Sequence, residues 1–212
     1  MTRHDRLCFF RCLESLWAPR LTALGFHGQP WEFRRIVEPC VHCVGVQPSE
    51  SDTGCYLELA FDLLFLRDDS GKPLRLDRLD TTTCQFRSRV GFFPYRQKPI
   101  WQPWSSERQI QRAVDDFVAT FEKEGLAALP RYNQLENRFD YRPEDITSGR
   151  VLAELGITDA GAAYTLAQIH NFLGNRERAR ELAQCGLRLA KQVSPQRHVR
   201  RLTECLDDLA RR

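Results

Sequence analysis

No run of about 18 apolar residues occurs in this chain, so no membrane-spanning helix is expected. Charges interrupt the opening MTRHDRLCFFRCLES, which therefore lacks the apolar core of a secretory signal, and a cytoplasmic location is the expectation. There is no G-x-S-x-G, no phosphate-cradling glycine loop and no H-E-x-x-H. Serine hydrolases with a nucleophile elbow, P-loop enzymes and metalloproteases of that type are thereby excluded. A net charge of only +3 gives no general reason to expect nucleic acid. With no secretory signal, the eight cysteines are expected to be reduced, buried small hydrophobes and not a disulfide framework.

What is present is an ordinary globular composition. The chain has 212 residues, 42% hydrophobic and 28% charged, enough to build a core without disulfides or metals. Charge is unevenly spread. Between Arg176 and Arg212 there are ten Lys and Arg against five Asp and Glu, and elsewhere 21 against 23.

Hydrophobic spacing changes along the chain. In residues 5–24, Leu7, Phe10, Leu13, Trp17, Leu21 and Leu24 recur every three or four residues, which predicts an amphipathic helix interrupted by Pro19 and stopped at Gly25. Strand patterns follow at 31–37, 41–47, 55–66 and 83–91. The third is clearest. Cys55, Leu57, Leu59, Phe61, Leu63 and Phe65 alternate with Tyr56, Glu58 and Asp62, which predicts one buried and one exposed face. In the fourth, Arg87 and Arg89 share a side opposite Cys84, Phe86, Ser88 and Val90. Short links favour antiparallel pairing. Residues 92–105 hold three prolines and five aromatics, Tyr95, Trp101 and Trp104 among them. A helix over 107–126 turns Ile110, Val114, Phe117, Val118 and Phe121 inward.

From Asp145 onward the signals are helical. Ala163, Leu166, Ala167 and His170 form one stripe. Leu173-Gly174-Asn175 breaks it, and Ala179, Leu182, Ala183, Gly186, Leu187 and Ala190 form the next. Small residues at the crossings let two helices approach closely. The expected fold is α+β: a four-stranded, mostly antiparallel sheet covered by helices, then a C-terminal helical bundle containing the hairpin. The expected domains are 1–128 and 144–212.

The hairpin, about residues 160–193, resembles a single tetratricopeptide repeat through Ala167, Gly174, Ala179 and Gly186, with Pro195 following. That resemblance implies a platform for a peptide or protein. The front part, about residues 5–125, resembles a bacterial family known only as a domain of unknown function, serial number 4304. The resemblance is carried by Leu21-Thr22-Ala23-Leu24-Gly25-Phe26, Phe33-Arg34-Arg35, Val44-Gly45-Val46-Gln47-Pro48-Ser49 and Cys84-Gln85-Phe86-Arg87-Ser88-Arg89-Val90-Gly91. Pro48 stands where members tend to carry a lysine. The resemblance implies no established activity. The small stand-alone bacterial members suggest immunity proteins that block a toxin.

Cys40-Val41-His42-Cys43 is the nearest approach to a metal motif. On a strand, residues 40 and 42 face one side and 43 the other, which opposes joint ligation, so no metal and no cofactor are expected. Arg87 and Arg89 invite two readings, with Arg34, Glu58 or Asp62 on adjacent strands. One is a structural ion-pair ladder. The other is a patch that recognises an acidic group. The expectation is a non-enzymatic protein that binds a protein partner, a toxin domain. Its binding residues are Arg87, Arg89, Trp101, Trp104, Arg176, Arg180 and Arg188. The alternatives are an enzyme using Cys43, His42 or Glu58 on the sheet side, or an RNA-binding protein using the basic tail.

Overall fold

The structure is a computed structural model that describes residues 3–29, 31–48, 55–67, 72–90, 107–193 and 196–211. Two compact units result: Met1–Leu64 with Arg75–Asn133, and Phe65–Leu74 with Gln134–Arg212. No helix among the described residues is long and apolar enough to cross a membrane.

The first unit begins with α1 (Arg3–Ala23), whose Leu13, Trp17 and Leu21 are fully buried, as the helical spacing demands. A five-stranded antiparallel sheet follows in the order β1 (His27–Gln29), β2 (Glu32–Val37), β3 (Cys40–Pro48), β4 (Cys55–Leu63) and β5 (Phe86–Arg89). It has one strand more than the expected four. The additional one, His-Gly-Gln, has no apolar or β-branched residue and is wholly exposed. Only backbone pairing to β2 makes it a strand, and side-chain periodicity cannot report that.

One face of the sheet is the core. Phe33, Cys40, His42, Val44, Val46, Leu57, Leu59, Phe61, Leu63 and Phe86 lie on it by register. Trp17 meets Phe33 edge-on, and it also meets Phe117 of α2 (Glu107–Thr120) and Phe121 of the wider turn Phe121–Gly125 that continues that helix. Tyr132 stacks on Phe61, which stacks on Phe86. Aromatic rings in these geometries add to the stabilisation their burial already gives.

The opposite face is not exposed as the alternation of β4 implied. Glu58 and Asp62 are each only 4% accessible, and Ala60, Cys43 and Val41 are buried beside them. The chain between β4 and β5 accounts for this, since Leu79, Thr81 and Cys84 are themselves buried and bond to this face.

The second unit is helical. Short helices α3 (Leu126–Ala128), at the end of the first unit, and α4 (Leu135–Arg138) precede α5 (Pro143–Thr147), α6 (Arg150–Leu155), α7 (Asp159–Phe172), α8 (Arg176–Val193) and α9 (Gln196–Arg211). α7 and α8 form the expected hairpin. Gly174 turns between them at φ +83°, a conformation that costs other residues dearly. Thr158 stands at the cap position of α7, with Asp159 in its first turn. The Asp159 charge suits the helix N-terminus. The helices crowd at Gly186, where a Cβ would lie 2.5 Å from Ala163 Cβ and 3.0 Å from Leu202.

Candidate functional site

Register places a polar row across the second face of the sheet. Glu32 pairs with Gly45, Gly45 with Glu58, and Glu58 with Arg89. Directly opposed residues of antiparallel strands share a face, so these four stand side by side. The next row is Arg34, Cys43, Ala60 and Arg87, and the one after it holds Ile36, Val41 and Asp62.

Each charge in this array has a partner within the unit. Arg89 Nε donates to Glu58 Oε1 at 2.9 Å, and its guanidinium lies 4.0 Å over the Tyr56 ring. The Gln47 amide, turned with its nitrogen toward the carboxylate, donates to Glu58 Oε1 at 2.6 Å. Glu32 accepts from the Thr81 backbone N–H (3.0 Å) and hydroxyl (2.7 Å). Its carboxylate lies over Gly45, where a Cβ would come within 2.5 Å of Oε1. Burial pushes the Glu32 carboxyl above the usual carboxylate range, partly offset by the Thr81 bonds. Asp62 accepts from the backbone N–H groups of Leu63 and Gln85, and burial still raises it to about 6. Arg34 donates to the Leu79 carbonyl, and the exposed Arg87 to the Thr82 carbonyl. Arg89 and Glu58 form the cross-strand ion pair of this face, while Arg34 and Arg87 bond to backbone carbonyls.

Of the residues proposed for sheet-side chemistry, Cys43 and Glu58 share the second face and His42 stands on the other. His42 lies on the core face, where its Nε2–H donates to Asn133 Oδ1 at 2.7 Å. Cys43 is on the opposite face, and the Cys40 thiol donates to the Tyr132 carbonyl. The free thiols of Cys43 and Cys84 are hydrogen-bonded to each other, and that bond together with burial pushes the Cys84 thiol up. Among the described residues no group of three or more His, Cys, Asp or Glu is arranged to hold a metal.

In the helical unit, Arg176, Arg180 and Arg188 are exposed along α8. Arg176 borders a depression at the start of that helix and Arg188 another near Pro143. Trp101, Trp104 and Tyr95 lie outside the described residues. His170, read as packing, is buried, and its Nε2–H donates to the Phe139 carbonyl.

A groove of about 740 Å³ went unforeseen. One wall is α7, with Tyr164, Gln168, Asn171 and Phe172. The other is α9, with Arg201, Glu204, Cys205, Asp207, Asp208 and Arg211, and Phe65 and Arg67 complete it. Phe172 is 51% accessible and stacks on Phe65, with centroids 4.0 Å apart. Arg201 lies 4.1 Å over Tyr164 and donates to the Arg67 carbonyl. Burial, with Asp208 beside it, raises the Cys205 thiol to about 11. The sequence held a signal for α7: Tyr164, Gln168, Asn171 and Phe172 fall at i, i+4, i+7 and i+8, a second stripe beside the apolar one.

Residues 17–131, more than half of the chain, match the family described as Domain of unknown function (DUF4304). The chain belongs to that family. The DUF4304 match spans all five strands and ends just before Tyr132 and Asn133, which close over the core face. No curated protein and no solved structure matches the chain.

Proposed function

We propose that this chain is a non-enzymatic protein-binding protein, and that its biological task is that of a bacterial immunity protein occluding a cognate toxin in the cytoplasm. The observation that carries the reading is the groove between α7 and α9. A half-exposed aromatic pair, two neutral amide side chains and a charged wall are the composition of a protein-recognition surface. Aromatic rings supply contact area at little entropic cost, and Gln168 and Asn171 both donate and accept, as a peptide backbone requires.

The sheet unit supports the same division of labour. Its Arg89 is tied to Glu58, and Arg34 and Arg87 bond to backbone carbonyls, with Arg87 exposed enough to add a contact. Occlusion needs no reacting group, only a complementary exterior, with Arg176, Arg180 and Arg188 as further contacts on α8. The reading predicts a toxin gene beside this one. Expression of the chain then protects cells from that toxin, and Phe172→Ala, at a position 51% exposed, weakens the protection while the melting temperature stays close to that of the native protein. Turnover of a small compound by the purified chain, abolished by one side-chain change, would sink it.

A further inference from the structure

We infer that Cys43 and Cys84 are a modification site, a thiol pair that closes to a reversible disulfide and fastens the chain before β5 to β3. The sheet unit then has an oxidised, locked form beside the thiol form seen here. This does not depend on the role of the groove.

The placement of the two sulfurs is the basis. Cys43 lies on the second face of β3, opposite Ala60 of β4 by register. β4 separates β3 from β5, so a link from β3 to the residues before β5 has to pass over β4. Ala60 is the β4 residue in that row, and it puts nothing beyond a methyl group in the way. Cys84 meets this face from the covering chain, and the two free thiols are hydrogen-bonded to each other. Both are buried, at 1% and 5% accessibility. Cys84 is also held in place. Its backbone N–H donates to the Asp80 carbonyl at 3.1 Å, and the N–H of Gln85 donates to the Asp62 carboxylate on the sheet. Sulfurs in such contact need only small side-chain shifts to reach the bond length of about 2 Å. The other thiols of the described residues stand elsewhere. Cys40 is on the core face, Cys8 and Cys12 are on α1, and Cys185 and Cys205 belong to the helical unit.

The oxidant is a low-molecular-weight disulfide such as oxidised glutathione. One thiol of the pair attacks a glutathione sulfur, and the S–S bond breaks to release one glutathione thiol, which takes the proton. The second thiol then attacks the protein sulfur of the mixed disulfide. The Cys43–Cys84 bond forms, the second glutathione leaves with the other proton, and two electrons have passed from the cysteines to the oxidant. Linkage fixes the sign of the effect. A fold that holds the sulfurs together favours the disulfide, and the disulfide favours the fold by the same factor.

The test refolds the full chain from urea in a series of glutathione buffers, so that burial is no barrier to exchange. Remaining thiols are blocked with N-ethylmaleimide and disulfides are mapped by mass spectrometry. The Cys43–Cys84 cross-link should form in the folded chain at a glutathione ratio about tenfold or more reducing than the urea-unfolded chain requires. The oxidised protein should melt about 5–10 °C above the reduced one, and Cys84→Ala and Cys43→Ala should each lose that dependence on the buffer. Each variant is compared with itself in two buffers, so any cost of the substitution to folding cancels. Absence of the cross-link, equally easy oxidation of folded and unfolded chains, an oxidised form that melts lower, or a shift that survives either substitution overturns the inference.

Discussion

Replacing Gly45 with alanine tests whether the polar row across the sheet is built around the absence of a side chain. The added methyl would sit 2.5–2.7 Å from the carboxylate of Glu32, far inside contact distance. Glu32 is flexible enough to move, but moving releases the backbone N–H and hydroxyl of Thr81, which is fully buried. A buried donor without a partner costs about 1–3 kcal/mol. Against this, exchanging Gly for Ala constrains the unfolded chain and returns about 0.4–1 kcal/mol. Gly45→Ala should therefore destabilise the protein by about 1–2 kcal/mol in urea unfolding. Glu32→Ala should cost about 1–3 kcal/mol, because it orphans the same Thr81 groups. The double variant decides the matter. With the Glu32 carboxylate already gone the closest clash is removed, so Gly45→Ala should become close to neutral. The coupling energy would then be about 1–2 kcal/mol, well above the error for contacting residues. Equal cost of Gly45→Ala in both backgrounds would refute the reasoning.

Arg89→Ala should cost about 2–4 kcal/mol in thermal unfolding, since it leaves the buried Glu58 without its cation. Arg87→Ala, at an exposed position, should stay within about 0.5 kcal/mol, and equal effects would count against the ladder. Gly186→Ala should destabilise the helical unit by about 1–3 kcal/mol through overpacking, and Ala163→Gly in the same chain should recover part of that loss in a circular-dichroism melt. The raised carboxyl of Asp62 gives stability that is full below its ordinary value of 3.8 and is lost as pH rises through about 6, a cost of about 3 kcal/mol at neutral pH. Asp62→Asn should thus gain on the native protein between pH 4 and 7, and a pH-independent difference would exclude the effect. His42 and His170 act in the opposite direction. Burial holds both imidazoles below 6.5, so their contribution is present above that pH and is lost as pH falls.

The chain's own patterning made most of this architecture legible. Leu13, Trp17 and Leu21 keep a helical period, and Leu57, Leu59, Phe61 and Leu63 keep a strand period, because burial enforces each. The turn at Gly174 was equally plain. Three things escaped. β1 is held by backbone bonds to β2, so its side chains carry no signal. The second face of β4 reads as polar, yet it is buried, because Leu79, Thr81 and Cys84 come from a segment with no periodicity of its own. The pairing of Arg89 with Glu58 was foreseen as one of two possibilities, but its choice depends on register. Glu32 and Thr81 were missed for the same reason, being 49 residues apart.

The two units spend their charge in different ways, and this bears on where function resides. In the sheet unit, Glu32, Glu58 and Asp62 are covered and matched by Thr81, Arg89 and backbone N–H groups. A ligand arriving at that row would have to break bonds already made, and could offer only equivalents in return. On α9 of the helical unit, Glu204, Asp207 and Asp208 remain in water beside an exposed aromatic ring, where a partner can add contacts without first removing any of comparable strength. DUF4304 membership covers the first arrangement and not the second. On the proposed reading, the family segment is the scaffold and recognition belongs to the helical unit. If recognition resides there, exposed substitutions along α7–α9 should alter partner binding with little change in stability, while substitutions in the covered row of β2–β5 should alter stability.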